Sequence, residues 1–317
     1  MSENPPTSLS LDAKTVLTQL RIGALIVTFF PNRVALASLQ AALCQSVSHV
    51  CIINNSPTPF SRSEHLENTS QLTIIEMGEN RGIAYAQNIG LRYLFDLGCE
   101  AVFLFDQDST INPAFVANML TAWRTLEQQG PMTIAAIGPA YVDRKTGIGA
   151  FAISYQPSGV IKRTPLRLQT QAVEADYVIA SGSLIPRYAW LRIGPLAEPL
   201  FAYWLDIEWG LRAKKFGLKS YLIPTVTMEH SIGEKTIMVF GRLRIVHDDF
   251  RQYFLIRNPL LLLRYSHLPK MMRLRAVIEV FFKYCPWYLL SSTNKKKTWQ
   301  TLCQAITDGL YNRGGRR

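Results

Sequence analysis

Five short apolar runs separated by helical patterns constrain the fold of this chain more than any other feature of its sequence. Each run is continuous rather than alternating, which is typical of a strand buried on both faces of a parallel sheet. The predicted strands cover residues 22–30, 50–53, 72–75, 101–105 and 133–137. Helices are predicted between them over 34–43, 83–97 and 115–126. This order predicts an α/β fold, a mostly parallel sheet with helices on both faces.

The second half of the chain has a less regular pattern. Residues 140–172 combine glycine, proline and basic residues with little periodicity, which predicts an excursion or lid rather than core. A strand-like tract covers 173–186, and a helix is predicted over 204–216 with Gly217 as its stop. A short strand over 220–223 is predicted before Pro224. The last quarter is helical and basic. We therefore expect a disordered lead-in, an α/β domain and a basic helical region, over residues 1–20, 21–240 and 241–317.

Charge divides the chain at the same point as the helical pattern. The formal net charge is +11, yet residues 1–240 hold 19 basic and 19 acidic side chains. Residues 241–317 hold 15 basic and 4 acidic side chains, so the whole excess lies there. A basic region of this kind meets an anionic partner. The partner that the sequence favours is an anionic membrane surface, because the basic helices carry the aromatic residues Phe281, Phe282, Trp287 and Tyr288.

Other features predict that this contact is peripheral and cytoplasmic. No apolar run approaches the roughly 18 residues of a spanning helix, and the opening residues lack the apolar core of a signal peptide. The five cysteines are scattered and odd in number, which favours reduced thiols. The alternative for the basic region is a solvated helical subdomain that covers the active site.

Polar side chains follow three of the predicted strands. They are Asn54-Asn55, Asn80 and the run Asp106-Gln107-Asp108. In an open parallel sheet, ligands bind beyond the carboxyl ends of the strands. One polar cluster would be an ordinary turn, but three at successive strand ends predict a binding site.

Asp106 and Asp108 are two residues apart directly after a buried strand, where both can face one divalent cation. Carboxylate oxygens suit hard ions such as Mg²⁺ or Mn²⁺, which take phosphate oxygens and water as their other ligands. Such an ion would stabilise the charge on a departing diphosphate. His230 follows a later strand and is the candidate third ligand or pyrophosphate contact. The alternative for the two aspartates is a solvated turn.

A second carboxylate pair, Asp206 and Glu208, lies on the predicted helix over 204–216. Residues two apart do not share a helix face, so one carboxylate can point into a cleft while the other meets Arg212, four residues beyond Glu208. In a transfer to a hydroxyl group, that hydroxyl must lose a proton as it attacks, and for such a reaction we assign Asp206 as the general base. Glu208 is assigned a structural role. The alternative is a surface helix with a salt bridge.

Together these segments resemble the GT-A-fold family of inverting bacterial sugar transferases, and within it the dTDP-rhamnosyltransferase group. The resemblance spans roughly residues 22–258. It rests on the segments VTFFPN, IINNS, ENRGIAYAQNIGL, FLFDQDS, GSLIPR, FAYWLDIEWGLRAKKFG and MEHSIGE, and on Tyr253-Phe254-x-x-Arg257-Asn258. It implies a GT-A domain over 21–240 and transfer of a sugar, most specifically L-rhamnose from dTDP-rhamnose. The acceptor would be a saccharide or a polyprenyl-linked sugar in surface polysaccharide assembly.

The resemblance also implies residue roles. Thr28 and Phe29 would border the nucleotide, with Asn54 or Asn55 near the base. Asp106 would contact the ribose or the metal, Asp108 would bind the metal, Asp206 would be the base and His230 would contact the metal or diphosphate. The nucleotide and sugar pocket would be lined by Asn80, Gly82, Ala84 and Asn88.

Three rival functions make different demands on the sequence. Another nucleotide-sugar donor on the same fold is compatible with every motif above. A sugar nucleotidyltransferase would need a glycine-rich, arginine-containing phosphate loop after the first strand, and VTFFPNRV is not one. A nucleic-acid-binding protein would need a recognised motif beside the basic region, and none is present, so no nucleic acid partner is expected.

Overall fold

The structure of the chain is a computed structural model that describes residues 20–59, 69–143, 149–230, 235–239, 242–246 and 248–317. For residues 143, 230, 235–239 and 242–246 it describes the backbone alone. The first half contains β1 (Ile22–Thr28), α1 (Arg33–Cys44), β2 (His49–Asn54), β3 (Leu72–Glu76), α2 (Ile83–Asp96), β4 (Ala101–Asp106), α3 (Phe115–Gln129) and β5 (Ile134–Asp143).

The second half begins with smaller elements and ends in helices. The middle part holds β6 (Phe151–Tyr155), β7 (Ile161–Pro165), β8 (Val173–Ala175), β9 (Leu184–Pro186), α4 (Arg187–Ile193), α5 (Leu205–Lys215) and β10 (Lys219–His230). The last part holds β11 (Lys235–Val239), β12 (Arg242–Val246), α6 (Asp249–Leu262), α7 (Lys270–Glu279), a π-helical turn (Val280–Tyr284), α8 (Cys285–Ser291) and α9 (Lys295–Leu310).

Within the described residues, eight strands form one sheet in the order β3-β2-β1-β4-β9-β5-β10-β8. The pairings β1–β2, β1–β4, β2–β3 and β5–β10 are parallel, whereas β9 and β8 run antiparallel to their neighbours. The prediction of a mostly parallel sheet is therefore confirmed. Thr28 stands in register with Asn54, and Val27 with Asp106. The polar residues at these strand ends consequently meet at one edge of the sheet.

Each face of the sheet has its own apolar core. Leu25 of β1 points to the face covered by α2, and its neighbour Ile26 points to the face covered by α1 and α3. Gly90 allows α2 to lie close to the sheet, since a Cβ atom there would come within 2.2 Å of Leu25 Cδ1. The continuous apolar runs of the sequence reflect this burial on both faces.

Two segments differ from their predicted structure. Residues 140–172 are not merely an excursion, because β5 continues to Asp143 and the β6–β7 hairpin contributes buried Ala152, with buried Leu166 following it. Their core contribution was missed because their apolar residues recur with little periodicity. β10 is also longer than the predicted strand over 220–223. Its pairing with β5 is interrupted between Ile223 and Thr227 and resumes to His230, so the strand passes Pro224 through an irregularity.

The carboxy-terminal helices share a third apolar cluster with the α/β body. Phe201 of the body stacks on Phe254 of α6, with their ring centroids 4.8 Å apart. Tyr253 and Ile256 of α6 are buried in the same cluster, as are Leu302 and Ala305 of α9. No helix in the described part of the chain is long and apolar enough to cross a bilayer. The lead-in over 1–20 and the boundary at 240–241 fall almost wholly outside the described residues.

Candidate active site

Two carboxylates from distant parts of the chain lie within electrostatic reach of each other at the carboxyl edge of the sheet. Asp106 ends β4, and Asp206 lies in the first turn of α5. The pKa of Asp206 is raised to about 7, chiefly because burial removes water from its carboxylate and secondly because of the negative charge of Asp106. A backbone hydrogen bond at Ala180 acts in the opposite direction. Asp206 is thus poised to exchange a proton near neutral pH.

The turn before Asp206 has an unusual backbone. Phe201, Tyr203 and Trp204 all have positive φ, at 64°, 62° and 67°. Residues with side chains seldom adopt this region, and each such residue costs about 1–3 kcal/mol. A turn of this kind persists only when its surroundings hold it in place.

Arg257 and Asn258 of α6 hold this turn by its carbonyl oxygens. Both side chains are fully buried. The Arg257 guanidinium donates to Pro199 O at 2.9 Å and to Leu200 O at 3.0 Å. Asn258 Nδ2 donates to Leu200 O at 2.9 Å, and also to the carbonyl oxygens of Ala202 at 2.6 Å and Tyr203 at 3.3 Å. We call this pair the carbonyl clamp.

Arg257 and Asn258 had no predicted role and belonged only to the segments that carry the family resemblance. The signal that could have found the carbonyl clamp is an arginine and an asparagine within the stretch 253–262, whose other residues are all apolar or aromatic. Polar groups are rarely buried unless their hydrogen bonds are satisfied, so such a pair indicates a specific set of acceptors nearby.

Glu208 has the structural surroundings that the sequence predicted for it. It is 1% exposed, and its two carboxylate oxygens accept from Arg212 Nε and Nη2, each at 3.0 Å. His267 Nε2 lies 2.7 Å from the same carboxylate. The predicted ion pair with Arg212 is confirmed. The two carboxylates of α5 therefore have different surroundings, and only Asp206 lies near Asp106.

The carboxylates after β4 suit a divalent cation that is shared with a ligand. Asp106 is partly buried and Asp108 is exposed in the turn after it. No group of three or more histidine, cysteine, aspartate or glutamate side chains converges on a metal-sized site within the described residues. Mg²⁺ commonly uses one or two carboxylates and completes its shell with phosphate oxygens and water, so this donor set fits such an ion. Its charge would also offset the repulsion between Asp106 and Asp206.

His230 is the last residue of β10, and its backbone pairs in register with Asp143 of β5. Because β5 and β10 run in the same direction as β4, His230 lies at the carboxyl edge of the sheet, where β4 also ends. The His230 side chain lies outside the described structure, so its role as a metal or diphosphate ligand stays a prediction.

Phe29 and Asn80 are brought together on a cavity of about 360 Å³ at this edge. The cavity is lined by Phe29, Phe30, Pro57, Glu79, Asn80, Asp248, Phe250 and Arg316. Gln107, between the two aspartates, fixes the Phe29 backbone by accepting from its N–H at 2.7 Å and donating to its oxygen at 3.2 Å. Its lining combines aromatic rings with a few polar and charged side chains, which is the composition of a small-molecule pocket.

Thr28, Asn54 and Asn55 are buried and do not line this cavity. The Asn54 amide donates to Glu76 Oε2 at 2.6 Å. Asn55 donates to Asn80 Oδ1 at 3.2 Å and accepts from the backbone N–H of Arg81 at 2.9 Å. These contacts fix the loops around the cavity. Whether Asn54 or Asn55 reads a base stays a prediction.

The remaining predicted pocket residues lie at the start of α2. Gly82 has φ of 86°, and a Cβ atom there would lie 2.6 Å from the Phe201 ring, so a glycine is required. The next backbone N–H, of Ile83, donates to Phe201 O at 2.9 Å and joins α2 to the turn before Asp206. Ala84 is buried in the core beside it. The described contacts of Asn88 are with Leu196 and Glu198 rather than with the cavity.

Comparison with known proteins gives one relative in sequence and several in structure. The curated protein "dTDP-rhamnosyl transferase RfbF" of Shigella flexneri is 32% identical over 282 residues, which cover 87% of this chain and 90% of that protein. No family model matches the chain.

The solved structures are similar in fold at low sequence identity. A crystal structure of S. aureus TarS 1–349 in complex with UDP-GlcNAc superposes with a TM-score of 0.56 at 12% identity, over 93% of this chain and 82% of that one. A crystal structure of GalNAc-T7 with UDP, GalNAc and Mn²⁺ superposes with a TM-score of 0.51 at 13% identity. That alignment covers 86% of this chain, which spans 58% of the longer GalNAc-T7 chain.

Proposed function

The chain belongs to the dTDP-rhamnosyltransferase family of GT-A-fold glycosyltransferases, and on that premise we propose that it transfers L-rhamnose from dTDP-rhamnose. The proposed acceptor is a hydroxyl of a saccharide or of a polyprenyl-linked sugar in bacterial surface polysaccharide assembly. The similarity to the Shigella flexneri protein supports the donor. The observation that carries the transfer chemistry is the proximity of Asp106 to Asp206, whose pKa is raised to about 7, at the carboxyl edge of the sheet. Another nucleotide-sugar donor is the alternative.

The proposed reaction is a single displacement with inversion. The oxygen of the acceptor hydroxyl attacks the anomeric carbon of the donor on the side opposite the diphosphate. A new carbon–oxygen bond forms as the bond to the diphosphate oxygen breaks, and the electron pair leaves with dTDP. The hydroxyl proton passes to the Asp206 carboxylate, whose pKa of about 7 suits a base that works near neutral pH. One base suffices because no covalent sugar–enzyme intermediate forms.

The proposed cofactor is a divalent cation, Mg²⁺ or Mn²⁺, held by Asp106 and Asp108 with His230 as a further ligand. When bound, it supplies positive charge against the diphosphate. GalNAc-T7, which is similar to this chain in fold alone, was crystallised with Mn²⁺, and this supports the proposal. Phe29 and Asn80 would contact the nucleotide in the cavity of about 360 Å³. Gly82 would let the backbone approach the donor.

The proposal is tested by product analysis. The purified protein is incubated with dTDP-rhamnose, a saccharide acceptor and Mg²⁺, and free dTDP is measured together with the anomeric configuration of the new linkage. We expect dTDP release that depends on the acceptor and a product of inverted configuration. A parallel incubation with dTTP and rhamnose 1-phosphate tests the rival enzyme: pyrophosphate release there, with no dTDP released from dTDP-rhamnose, would indicate a nucleotidyltransferase. Retention at the anomeric carbon would rule out the single displacement.

We also propose that the enzyme works at the cytoplasmic face of the cell membrane as a peripheral protein. The support is the charge of residues 241–317, which hold 15 basic and 4 acidic side chains, together with the exposed side chains of Phe281 and Phe282. The expectation was wrong for Tyr288, which is buried in the third apolar cluster. A polyprenyl-linked acceptor would be found at that surface, so peripheral attachment would place the enzyme beside its substrate.

A further inference from the structure

One face of α7 and the turn after it presents apolar side chains to solvent. The exposed residues recur at helical spacing, which places them in one stripe: Met271, Leu274, Ile278, Phe281 and Phe282. Phe282 is the most exposed, at 82%. The opposite face carries Met272, Ala276 and Val280, which are buried in the protein. The helix is therefore anchored by one side, and none of the described residues covers the apolar stripe on the other.

The β6–β7 hairpin adjoins the beginning of this stripe. Its turn residue Gly159 lies so close to α7 that a Cβ atom there would be 3.0 Å from Met271 Cβ. The next residue, Val160, is 60% exposed and continues the apolar surface. Lys162 and Arg163, which follow in β7, are also exposed. We call the combination of the α7 stripe and this hairpin turn the docking face.

Basic side chains predominate on the two segments that form the docking face. Residues 151–168 and 270–284 together hold seven basic side chains and one acidic side chain, Glu279. At about 100° per residue, Lys270 and Arg275 flank the apolar stripe on its two sides. An apolar centre with a basic border is the composition of a helix that lies at an anionic lipid interface.

The docking face connects to Asp206 through a short series of contacts. Gly210 of α5 packs on the 176–177 segment, where a Cβ atom at Gly210 would lie 2.4 Å from Asp176 O. Asp176 Oδ2 in turn accepts from the backbone N–H of Tyr155 in β6, at 2.5 Å. The charges of both Asp206 and Arg163 act on the pKa of Tyr177, which is raised chiefly by burial. The hairpin thus lies on the Asp206 side of the molecule.

We propose that the docking face binds the surface of an anionic lipid bilayer and holds the Asp206 side of the catalytic cleft next to it. The apolar stripe enters the boundary between head groups and acyl chains, and the basic border contacts the anionic head groups. The docking face specifies the peripheral attachment proposed above and rests on it. Delivery of a lipid-linked acceptor to Asp206 is the consequence, and only that part rests on the proposed transferase activity.

The experiment measures sedimentation of the full chain with vesicles of phosphatidylcholine, with or without phosphatidylglycerol, at low and high salt. The charge variant is Lys270→Gln/Arg275→Gln/Lys283→Gln. Its matched control is Lys295→Gln/Lys296→Gln/Lys297→Gln, which removes the same charge from α9. A second pair compares Leu274→Ser/Phe282→Ser with Trp299→Ser/Leu310→Ser, which removes exposed apolar side chains from α9. Turnover on a soluble acceptor is measured for every variant.

We expect the wild type to bind anionic vesicles at low salt and to be released by high salt. Each basic residue near the surface contributes about fivefold to the partition coefficient, so the α7 charge variant should bind roughly 10²-fold less. The α7 apolar variant should also lose binding, whereas both α9 controls should retain most of it. Turnover on the soluble acceptor should match the wild type, because the changed side chains lie outside the catalytic cleft.

Three outcomes would overturn the docking face. They are equal partitioning to neutral and anionic vesicles, equal losses in the α7 and α9 variants, and a dimer of the wild type that the α7 apolar variant dissociates. The last result would assign the stripe to a second copy of the chain. Because sedimentation requires no turnover, an enzyme inactive with dTDP-rhamnose would refute the proposed function without affecting this test.

Discussion

Asp206 should control the pH dependence of the enzyme. A base must be ionised to accept a proton, and burial together with the charge of Asp106 raises the pKa of Asp206 to about 7. We therefore expect kcat/KM to rise with pH through an inflection near 7. Asp206→Asn should lower turnover by roughly 10²–10⁴-fold, the range for loss of a general base, and should remove the inflection. The measurement is the pH–rate profile of both proteins.

Glu208→Gln is the matched control for this prediction, because it changes the other carboxylate of α5. Glu208 is buried between Arg212 and His267, so its replacement should mainly lower the free energy of unfolding. If Glu208→Gln abolishes turnover in a folded protein while Asp206→Asn keeps it, the two roles have been assigned in reverse.

The same pKa shift has a consequence for stability. The pKa of Asp206 is about 7 in the folded protein against 3.8 in an ordinary aspartate, so the folded state binds more protons between those values. Stability must then fall as pH rises from about 4 to 7, by up to about 4 kcal/mol from this group. Asp206→Asn cannot ionise, so it should be more stable than the wild type at pH 8 relative to pH 5. Urea unfolding at both pH values tests this, and an equal difference at both would contradict it.

Asp108 should matter only through the cation. Asp108→Ala is expected to abolish turnover and the metal-dependent part of nucleotide binding, because the exposed carboxylate completes the donor set begun by Asp106. Calorimetric titration with dTDP, with and without Mn²⁺, measures the effect. Asp96→Ala removes an equally exposed aspartate at the end of α2 and should change neither quantity. Full activity of the wild type in excess chelator would show that no metal is needed.

At the scale of elements, the carbonyl clamp should determine how well the turn before Asp206 is held. Asn258→Ala leaves the carbonyl oxygens of Ala202 and Tyr203 without this donor. We expect a loss of about 2–5 kcal/mol in unfolding free energy, and a fall in kcat larger than the rise in donor KM, because Asp206 follows the turn directly. Asn118→Ala, an exposed asparagine on α3, is the control. Loss of stability with unchanged kcat would make the clamp purely structural.

The elements that could be predicted are those that appear in the sequence as a continuous run of apolar residues. β1, β2 and β4 are buried runs and the edge strand β3 is a half-buried one, and their predicted limits differ from the observed ones by two residues at most. The three-residue strands β8 and β9 are too short to carry a period, and their antiparallel placement is decided by tertiary pairing. The site residues that could be predicted are likewise those with a signal in the local sequence. Asp106 and Asp108 follow a clear strand, whereas the clamp depends on contacts about 55–58 residues apart in sequence.

At the scale of the whole molecule, the charge pattern suggested two regions, yet they are closely packed in the structure. Arg257 of α6 bonds Pro199 and Leu200 of the body, and Phe201 of the body lies in the apolar cluster of the carboxy-terminal helices. Arg316 reaches Glu79 at 3.2 Å, beside the cavity that holds Phe29. The sequence locates the excess positive charge in residues 241–317. It does not predict the packing of the two regions, because that packing depends on contacts between residues far apart in the chain. The cavity is consequently bordered by both regions.

A donor that fills this cavity should therefore stabilise the whole chain. A ligand present at 100 times its dissociation constant adds about 2.7 kcal/mol to the free energy of unfolding. For a chain of this length, that corresponds to a rise in melting temperature of roughly 4 °C. We expect the largest rise with dTDP-rhamnose and Mg²⁺, a smaller one with dTDP alone, and little with UDP-GlcNAc. Each ligand is measured with and without chelator, and Asp108→Ala serves as the control that should lose the metal-dependent part. A larger rise with a UDP-sugar than with dTDP-rhamnose would keep the glycosyltransferase assignment and replace the proposed donor, since the fold is shared with enzymes crystallised with UDP and UDP-GlcNAc.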